Sequence, residues 1–176
     1  MEDNRAIVGR NRERFYVIVG SGFYLGLIPG ARGSYAALLG VAGHLALATL
    51  LPRPFDVAAV AVLLLLVSWA NHVLTPWAQR YWNSSDPSRF ILDEIAGYLV
   101  VPIVYWGDNL VATAVWGFVL FRLLDIIKIP PAWQIDRRRH DSWGILLDDI
   151  VSGVYAGLVL YLMEWLQATT GMNAGL

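Results

Sequence analysis

The sequence contains no cysteine, which excludes disulfides, cysteine-based zinc sites and cysteine nucleophiles. It is also poor in charge, because only 15% of its 176 residues are Asp, Glu, Lys or Arg, against about a quarter in a typical soluble domain. The net charge of −1 provides no basic balance to neutralise phosphates, so we expect no nucleic-acid partner. Apolar residues make up 57% of the chain, which excludes intrinsic disorder.

Long uncharged stretches predict an integral membrane protein. Residues 33–52 and 57–79 carry no charged side chain, and the second is long enough to span a bilayer, which takes about 20 apolar residues. Turn signals at Pro52-Arg53-Pro54, Gly107-Asp108-Asn109 and Pro130-Pro131 separate the apolar stretches. The pattern predicts an all-α membrane helical bundle in a single domain over residues 1–176. We expect a glycine-rich helical or irregular segment near 11–28 and five main helices near 34–51, 57–80, 87–106, 110–128 and 143–167.

Three local signals refine these boundaries. Asp86 followed by Pro87 is a favourable N-cap and first-turn pair for the helix near 87–106. Asp141-Ser142 is a similar start for the last helix. The N-terminal segment resembles a signal peptide in its early arginines, but glycines and Pro29 interrupt its apolar region, so we interpret it as part of the mature chain.

The basic residues predict the orientation in the membrane. If all five helices span and the N-terminus is cytoplasmic, 12 of the 13 basic residues lie on the cytoplasmic side and only Arg53 lies outside. Such an excess of Lys and Arg is typical of cytoplasmic loops. The run Arg137-Arg138-Arg139 is then expected to contact anionic lipid headgroups.

Three groups of acidic residues lie within or beside apolar helices at the predicted cytoplasmic interface: Asp93-Glu94, Asp125 and Asp148-Asp149. Carboxylates next to hydrocarbon are costly unless they are paired, hydrated or bound to metal. Magnesium prefers a few carboxylate oxygens together with water and substrate phosphate. We therefore predict a Mg²⁺ site with Asp93, Asp125 and Asp148 or Asp149 as ligands. Adjacent helical residues point about 100° apart, so one member of each acidic pair is expected to ligate and the other to act beside it. The alternative is that the acids only form ion pairs or favour a helix dipole.

Two further patterns predict phosphate contacts. Arg122, Asp125 and Lys128 are spaced three residues apart on one predicted helix, which places both cations beside an acid. Simple helical ion pairing is the alternative. The segment Pro29–Ser34 precedes an apolar helix, where backbone N–H groups and Arg32 can face an anion, although it is equally compatible with an ordinary turn.

Five motifs occur in a fixed order: Gly20-Ser-Gly22, Pro29-Gly-x-x-Gly-Ser34, Asp86-Pro followed by Asp93-Glu-x-x-Gly97, Phe121-Arg-x-x-Asp-x-x-Lys128, and Asp148-Asp-x-x-x-Gly153. Together they resemble the phosphatidylglycerophosphatase A family over about residues 19–157. The resemblance implies an all-α, Mg²⁺-dependent phosphatase. Such an enzyme would hydrolyse phosphatidylglycerophosphate to phosphatidylglycerol and phosphate at the cytoplasmic face of the bacterial inner membrane.

The resemblance also assigns roles to residues. It implies catalytic functions for Asp93, Glu94, Asp125, Lys128, Asp148 and Asp149, and substrate contacts for Arg122, Arg32, Gly30, Gly33, Ser34 and Asp136. The chain departs from the family pattern at Ala31, at Lys128-Ile129 and at the turn Asp141–Gly144. Because the acids are retained, we expect the metal chemistry to be intact and the substrate contacts to differ.

The sequence is compatible with two routes of phosphate hydrolysis. Water can attack the phosphorus while Glu94 or the second aspartate of the Asp148-Asp149 pair accepts its proton, or an aspartate can itself be the nucleophile. Two other functions use the same acids: an ion-coupled transporter or channel, whose acids would lie at mid-membrane depth, and a structural membrane subunit, whose acids would only pair with arginines. The oligomeric state is left open.

Overall fold

The computed structural model describes residues 2–138 and 141–170, with side chains described at 9–135 and 141–170. Within these residues the chain forms seven α-helices and no strand, which confirms the predicted all-α fold. The helices are α1 (Glu2–Gly20), α2 (Arg32–Leu50), α3 (Phe55–Trp82), α4 (Leu92–Val104), α5 (Leu110–Ile127), α6 (Ala132–Arg138) and α7 (Ser142–Thr170), with a 3-10 turn at Leu25–Leu27 between α1 and α2.

Four of the helices, α2, α3, α5 and α7, are long and apolar enough to cross a membrane. Their outward faces carry exposed apolar side chains such as Leu65, Val111 and Leu162. In water such a surface would be unfavourable, whereas lipid tails cover it without penalty. The molecule is therefore an integral membrane helical bundle.

The short helix α4 forms the centre of the bundle and packs against α2, α3, α5 and α7. Its residues from Leu92 to Pro102 are buried, apart from the partly buried Glu94. With 13 residues, α4 is about 20 Å long and is not among the helices long enough to span. It is apolar all round because protein surrounds it on every side.

Small residues let α7 approach α4 closely. A Cβ atom added to Gly153 would collide with the carbonyl oxygen of Gly97, and one added to Gly97 would lie 2.7 Å from the ring of Phe121. Further along the same crossing, a Cβ on Gly157 would lie 2.6 Å from Val104. Close backbone approach through glycine is a common way of packing membrane helices.

The predicted boundaries of α2, α3, α5 and α7 agree with the structure to within three residues. The turn signals also act as expected: the Asn109 side chain accepts a hydrogen bond from the Ala112 N–H, and Asp141 Oδ1 accepts one from the Gly144 N–H over 2.8 Å. The segment near 11–28 is different, because α1 already begins at Glu2 and ends at Gly20. The short helix α6 was not predicted.

The prediction that Asp86 and Pro87 begin the helix near 87–106 was wrong. Residues 83–91 form a non-helical loop, in which the Phe90 N–H donates to the Pro87 carbonyl over 2.8 Å, and α4 starts only at Leu92. The Ile91 N–H donates to the carbonyl of Gly20 at the end of α1 over 3.0 Å. In a helix that began at Pro87, the Ile91 N–H would instead donate to the carbonyl of Pro87. The hydrogen bond to Gly20 is therefore incompatible with the earlier helix start.

Candidate active site

The acidic residues of three helices line one cavity of about 150 Å³ at an end of the bundle. They come from the first turn of α4, the last turn of α5 and the second turn of α7. Among the residues that the structure describes, the lining includes six acids and one basic residue, Lys128. The lining residues are Asp86, Ser88, Phe90, Asp93, Glu94, Asp125, Lys128, Gly144, Ile145, Asp148 and Asp149. We call this the acidic cavity.

Asp93, Glu94 and Asp149 form its most compact group. One carboxylate oxygen from each lies within 4.8 Å of the others. Asp93 and Asp149 are buried, and two of the carboxylate oxygens, Asp93 Oδ1 and Glu94 Oε2, are buried without a hydrogen-bond partner in the described part of the chain. Buried polar atoms normally have partners, so these two oxygens are available to coordinate a cation.

The arrangement of the two acidic pairs differs. On α4 both Asp93 and Glu94 contribute to the group, because the longer Glu94 side chain brings its carboxylate to the same point from another direction. On α7 only Asp149 contributes, whereas Asp148 Oδ2 accepts a hydrogen bond from Lys128 Nζ over 2.7 Å. Asp125 lines the same cavity as Asp149.

Charge repulsion within the group is marked at the start of α4, which lies outside the four spanning helices. Burial raises the pKa of Asp93 well above its ordinary value, and the neighbouring Glu94 carboxylate raises it further. Burial also raises the pKa of Glu94. Both shifts mean that bare carboxylate anions are unfavourable here unless a positive charge joins them.

Two cations are each held by an aspartate of the cavity lining. Arg122 Nη1 donates to Asp125 Oδ2 one helical turn further along α5. Lys128 follows the last residue of α5 with a left-handed backbone, φ 51°, which ends the helix and lets its side chain reach Asp148 on α7. Both pairs are partly buried, so they are screened less than surface ion pairs.

Glycines position these charges. Gly97 leaves room for α7, since a Cβ there would lie 2.9 Å from Asp149 Cβ. Gly33, in the first turn of α2, lies against the guanidinium of Arg122, because a Cβ there would lie 2.5 Å from Arg122 Nη2. The predicted glycine motif thus contacts the site through Gly33.

Three more of the predicted substrate contacts, Arg32, Gly30 and Ser34, lie at or just before the start of α2. Arg32 Nη1 donates to Ser88 Oγ over 2.9 Å, and Ser88 lines the cavity. Gly30 supplies a left-handed turn, φ 111°, before α2, and Ser34 is partly buried in the first turn of that helix. The side chain of Asp136 lies outside the described residues.

Sequence reasoning missed the contribution of the 83–91 loop. Asp86 and Ser88 line the cavity, although the sequence predicts neither of them as a site residue. The available signal was composition, since a Ser-Ser-Asp-Pro-Ser cluster is typical of a loop, and this loop immediately precedes the Asp93-Glu94 pair.

The donor set fits a hard divalent cation. It consists of carboxylate oxygens, two of which lack partners, and it contains neither histidine nor cysteine among the described lining residues. Oxygen-only ligands are preferred by magnesium and calcium, whereas zinc favours nitrogen and sulfur. Asp93, Glu94 and Asp149 are the residues that could hold such an ion, with Asp125 beside them.

Comparison with known proteins agrees with this site. The family model of phosphatidylglycerophosphatase A matches residues 18–164. A Bacteroides thetaiotaomicron protein named "Putative phosphatidylinositol-3-phosphatase" is 30% identical over 151 residues, covering 85% of this chain and 93% of its own. A phosphatidylglycerophosphatase A from Haemophilus influenzae is 28% identical over 148 residues, covering 82% and 85%.

A third relative covers a shorter segment. The phosphatidylglycerophosphatase A of Escherichia coli is 47% identical over 47 residues, which is 27% of each chain. No solved structure matches the sequence significantly. Because the family model covers most of the chain, including all six acids of the cavity lining, this chain belongs to the phosphatidylglycerophosphatase A family and is a phosphatase, a phosphoric monoester hydrolase.

Proposed function

We propose that this protein is a Mg²⁺-dependent lipid phosphatase that converts phosphatidylglycerophosphate to phosphatidylglycerol and inorganic phosphate. The observation that carries the proposal is the acidic cavity at the end of four apolar helices. An enzyme built in this way can leave the acyl chains of its substrate in the bilayer while the terminal phosphate enters the cavity. The family membership and the Haemophilus relative support the substrate.

We propose magnesium as the metal, because it commonly binds a few carboxylates together with a substrate phosphate. Asp93, Glu94 and Asp149 would hold it, and Asp125 lines the same cavity. When bound, the ion would neutralise the charge that develops on the phosphate oxygens. The six acids of the lining would otherwise repel a phosphate monoester, so a cation is needed before the substrate can enter.

The chain itself supplies the fixed positive charge around the phosphate. Lys128 lines the cavity, and Asp148 holds its ammonium group in place. Arg122 on α5 is held in the same way by Asp125, which lines the cavity. Side chains that are already oriented lose little freedom when the phosphate binds, which favours stabilisation of the transition state.

Hydrolysis forms one bond from an oxygen to phosphorus and breaks the bond from phosphorus to the glycerol oxygen, which leaves with a proton. Glu94 and the α7 aspartates are the bases within the cavity that can accept a proton from an attacking water molecule. In the alternative route an aspartate attacks first and water then cleaves the phosphoaspartate. Trapping of a phosphorylated protein on rapid quenching would distinguish the second route from the first.

The distribution of charge supports a cytoplasmic active site in the bacterial inner membrane. Arg32, Arg122 and Lys128 lie at the end of the bundle with the acidic cavity. At the opposite end Arg53 donates to the carbonyl of Gly107 over 2.7 Å. Positive charge is enriched on the cytoplasmic side of membrane proteins. The acids also cluster at one end and not at mid-membrane depth, which disfavours an ion-coupled transporter.

A panel of lipid substrates tests the proposal. We expect detergent-solubilised enzyme with Mg²⁺ to release phosphate fastest from phosphatidylglycerophosphate, more slowly from phosphatidylinositol 3-phosphate, and not at all with Asp93→Asn. A reversed preference would assign to this chain the substrate in the name of the Bacteroides relative. Absence of phosphate release from every lipid by folded enzyme would refute the proposal.

A further inference from the structure

A second polar pocket opens beside the acidic cavity. It has a volume of about 240 Å³ and is lined by Arg32, Trp82, Ser84, Asp86, Pro87, Ser88 and Arg89. Asp86 and Ser88 line both spaces, so the two are neighbours along the 83–91 loop. We call this second space the arginine pocket.

The charge of the arginine pocket is opposite to that of the acidic cavity. Arg32 and Arg89 contribute two positive charges and Asp86 one negative charge. A divalent cation is suited to the first space, whereas an anion is suited to the second. The hydroxyl of Ser88, which accepts a hydrogen bond from Arg32 Nη1, adds a group that can donate a hydrogen bond to an anion.

Arg32 has unused hydrogen-bonding capacity in this pocket. Its Nη1 donates to Ser88 Oγ, which fixes the direction of the guanidinium. Its Nε is buried and has no partner among the described residues. The contact with Ser88 fixes the orientation of the guanidinium, and the unused N–H donor remains able to bind a phosphate oxygen.

We infer that the arginine pocket binds the phosphodiester of the lipid substrate while the acidic cavity binds its terminal phosphate monoester. This inference rests on the proposed lipid phosphatase function. Phosphatidylglycerophosphate has both groups, joined by a glycerol unit, and the two adjacent spaces of opposite charge match them. The half-buried Trp82 ring suits a position at headgroup level, where tryptophan is enriched.

The pocket would thereby select the substrate class. Phosphatidylinositol phosphates also have one diester and at least one monoester, whereas phosphatidate has a monoester alone. Lipids with both phosphates engage both spaces, and phosphatidate engages only the acidic cavity. Arg32 and Arg89 are thus specificity residues that act on a part of the substrate away from the reacting bond.

Equilibrium binding in detergent micelles tests the inference without requiring turnover. The probes are phosphatidylglycerol, which carries the diester without a monoester, and inorganic phosphate in the presence of Mg²⁺, with diacylglycerol as the lipid that lacks phosphate. Arg32→Gln and Arg89→Gln are each expected to raise the Kd for phosphatidylglycerol about tenfold and to leave the Kd for inorganic phosphate within about twofold. Diacylglycerol should not distinguish the variants.

Arg80→Gln is the matched control, because Arg80 is an exposed arginine at the end of α3 that lines a different pocket with Arg12 and Tyr16. It should bind both probes like the wild-type protein. The inference is overturned if the Arg32 and Arg89 variants bind phosphatidylglycerol as tightly as wild type, or if their affinity for inorganic phosphate falls equally. Absence of lipid phosphatase turnover in the wild type would refute the proposed function instead, and the binding result would still decide the pocket.

Discussion

The close crossing of α4 and α7 predicts that one added methyl group at Gly153 will inactivate the enzyme. An alanine Cβ at this position would lie far inside 3.0 Å of the Gly97 carbonyl oxygen and 3.0 Å from Val100 Cβ. Both obstacles are rigid parts of α4, so the two helices have to separate by about 1 Å. Asp149 is four residues earlier on α7 and moves with the helix.

The expected effect on activity follows from this displacement. A misplacement of about 1 Å in an active site can cost about 100-fold in rate, and overpacking of a rigid core costs about 1–3 kcal/mol of stability. We therefore expect Gly153→Ala to lower kcat about 100-fold in a phosphate-release assay with Mg²⁺. Its thermal unfolding midpoint should fall by a few degrees.

Gly43→Ala is the matched control for this prediction. A Cβ at Gly43 lies 3.1 Å from Leu63 Cδ2, the far end of a flexible side chain, so a small rotation relieves the contact. Its kcat should stay within about twofold of wild type. If Gly153→Ala retains wild-type kcat, the α4–α7 crossing does not set the distance between the carboxylates and the reasoning is wrong.

Two other substitutions test the cations that border the acidic cavity. Lys128→Met keeps about the length of the aliphatic part of the side chain but removes the ammonium group that donates to Asp148. We expect kcat/KM to fall about 10- to 100-fold, and an unchanged value would exclude Lys128 from phosphate binding. Gly33→Ala places a methyl group against the Arg122 guanidinium, so kcat/KM should fall about tenfold as the pair with Asp125 is displaced. Circular dichroism and thermal unfolding should change little for Gly33→Ala, because guanidinium movement relieves the contact, and a large loss of helicity would show instead that Gly33 is needed for folding.

The long helices could be predicted because their signals are local. An uncharged stretch of membrane-spanning length over residues 57–79 defines α3, the turn residues at Gly107–Asn109 and Pro130–Pro131 bound α5, and Asp141-Ser142 marks the start of α7, all without information from the rest of the chain. The helix α4 is different, since its 13 residues depend on tertiary surroundings. Its delayed start at Leu92 reflects the contact of Ile91 with Gly20, which no local pattern reveals.

The identity of the acids could also be predicted, but their partners could not. That Asp93, Asp125 and Asp149 share one end of the bundle follows from helix order and apolar length. Which carboxylate joins the compact group and which pairs with a cation depends on side-chain direction across helices, as Asp148 and Asp149 illustrate. The arginine pocket was equally hidden, because Arg32 and Arg89 are far apart in sequence and meet only through the 83–91 loop.

The most direct test of the metal-phosphatase account is phosphate release from phosphatidylglycerophosphate micelles with Mg²⁺, with a chelator, and with Asp149→Asn. Asp56→Asn is the matched control, since Asp56 is equally buried but lies at the opposite end of the bundle beside Arg53. We predict that the chelator abolishes turnover, that added Mg²⁺ restores it, and that Asp149→Asn lowers kcat about 100-fold or more while Asp56→Asn stays near wild type. Full turnover in the chelator, or a wild-type rate for Asp149→Asn, would contradict the account.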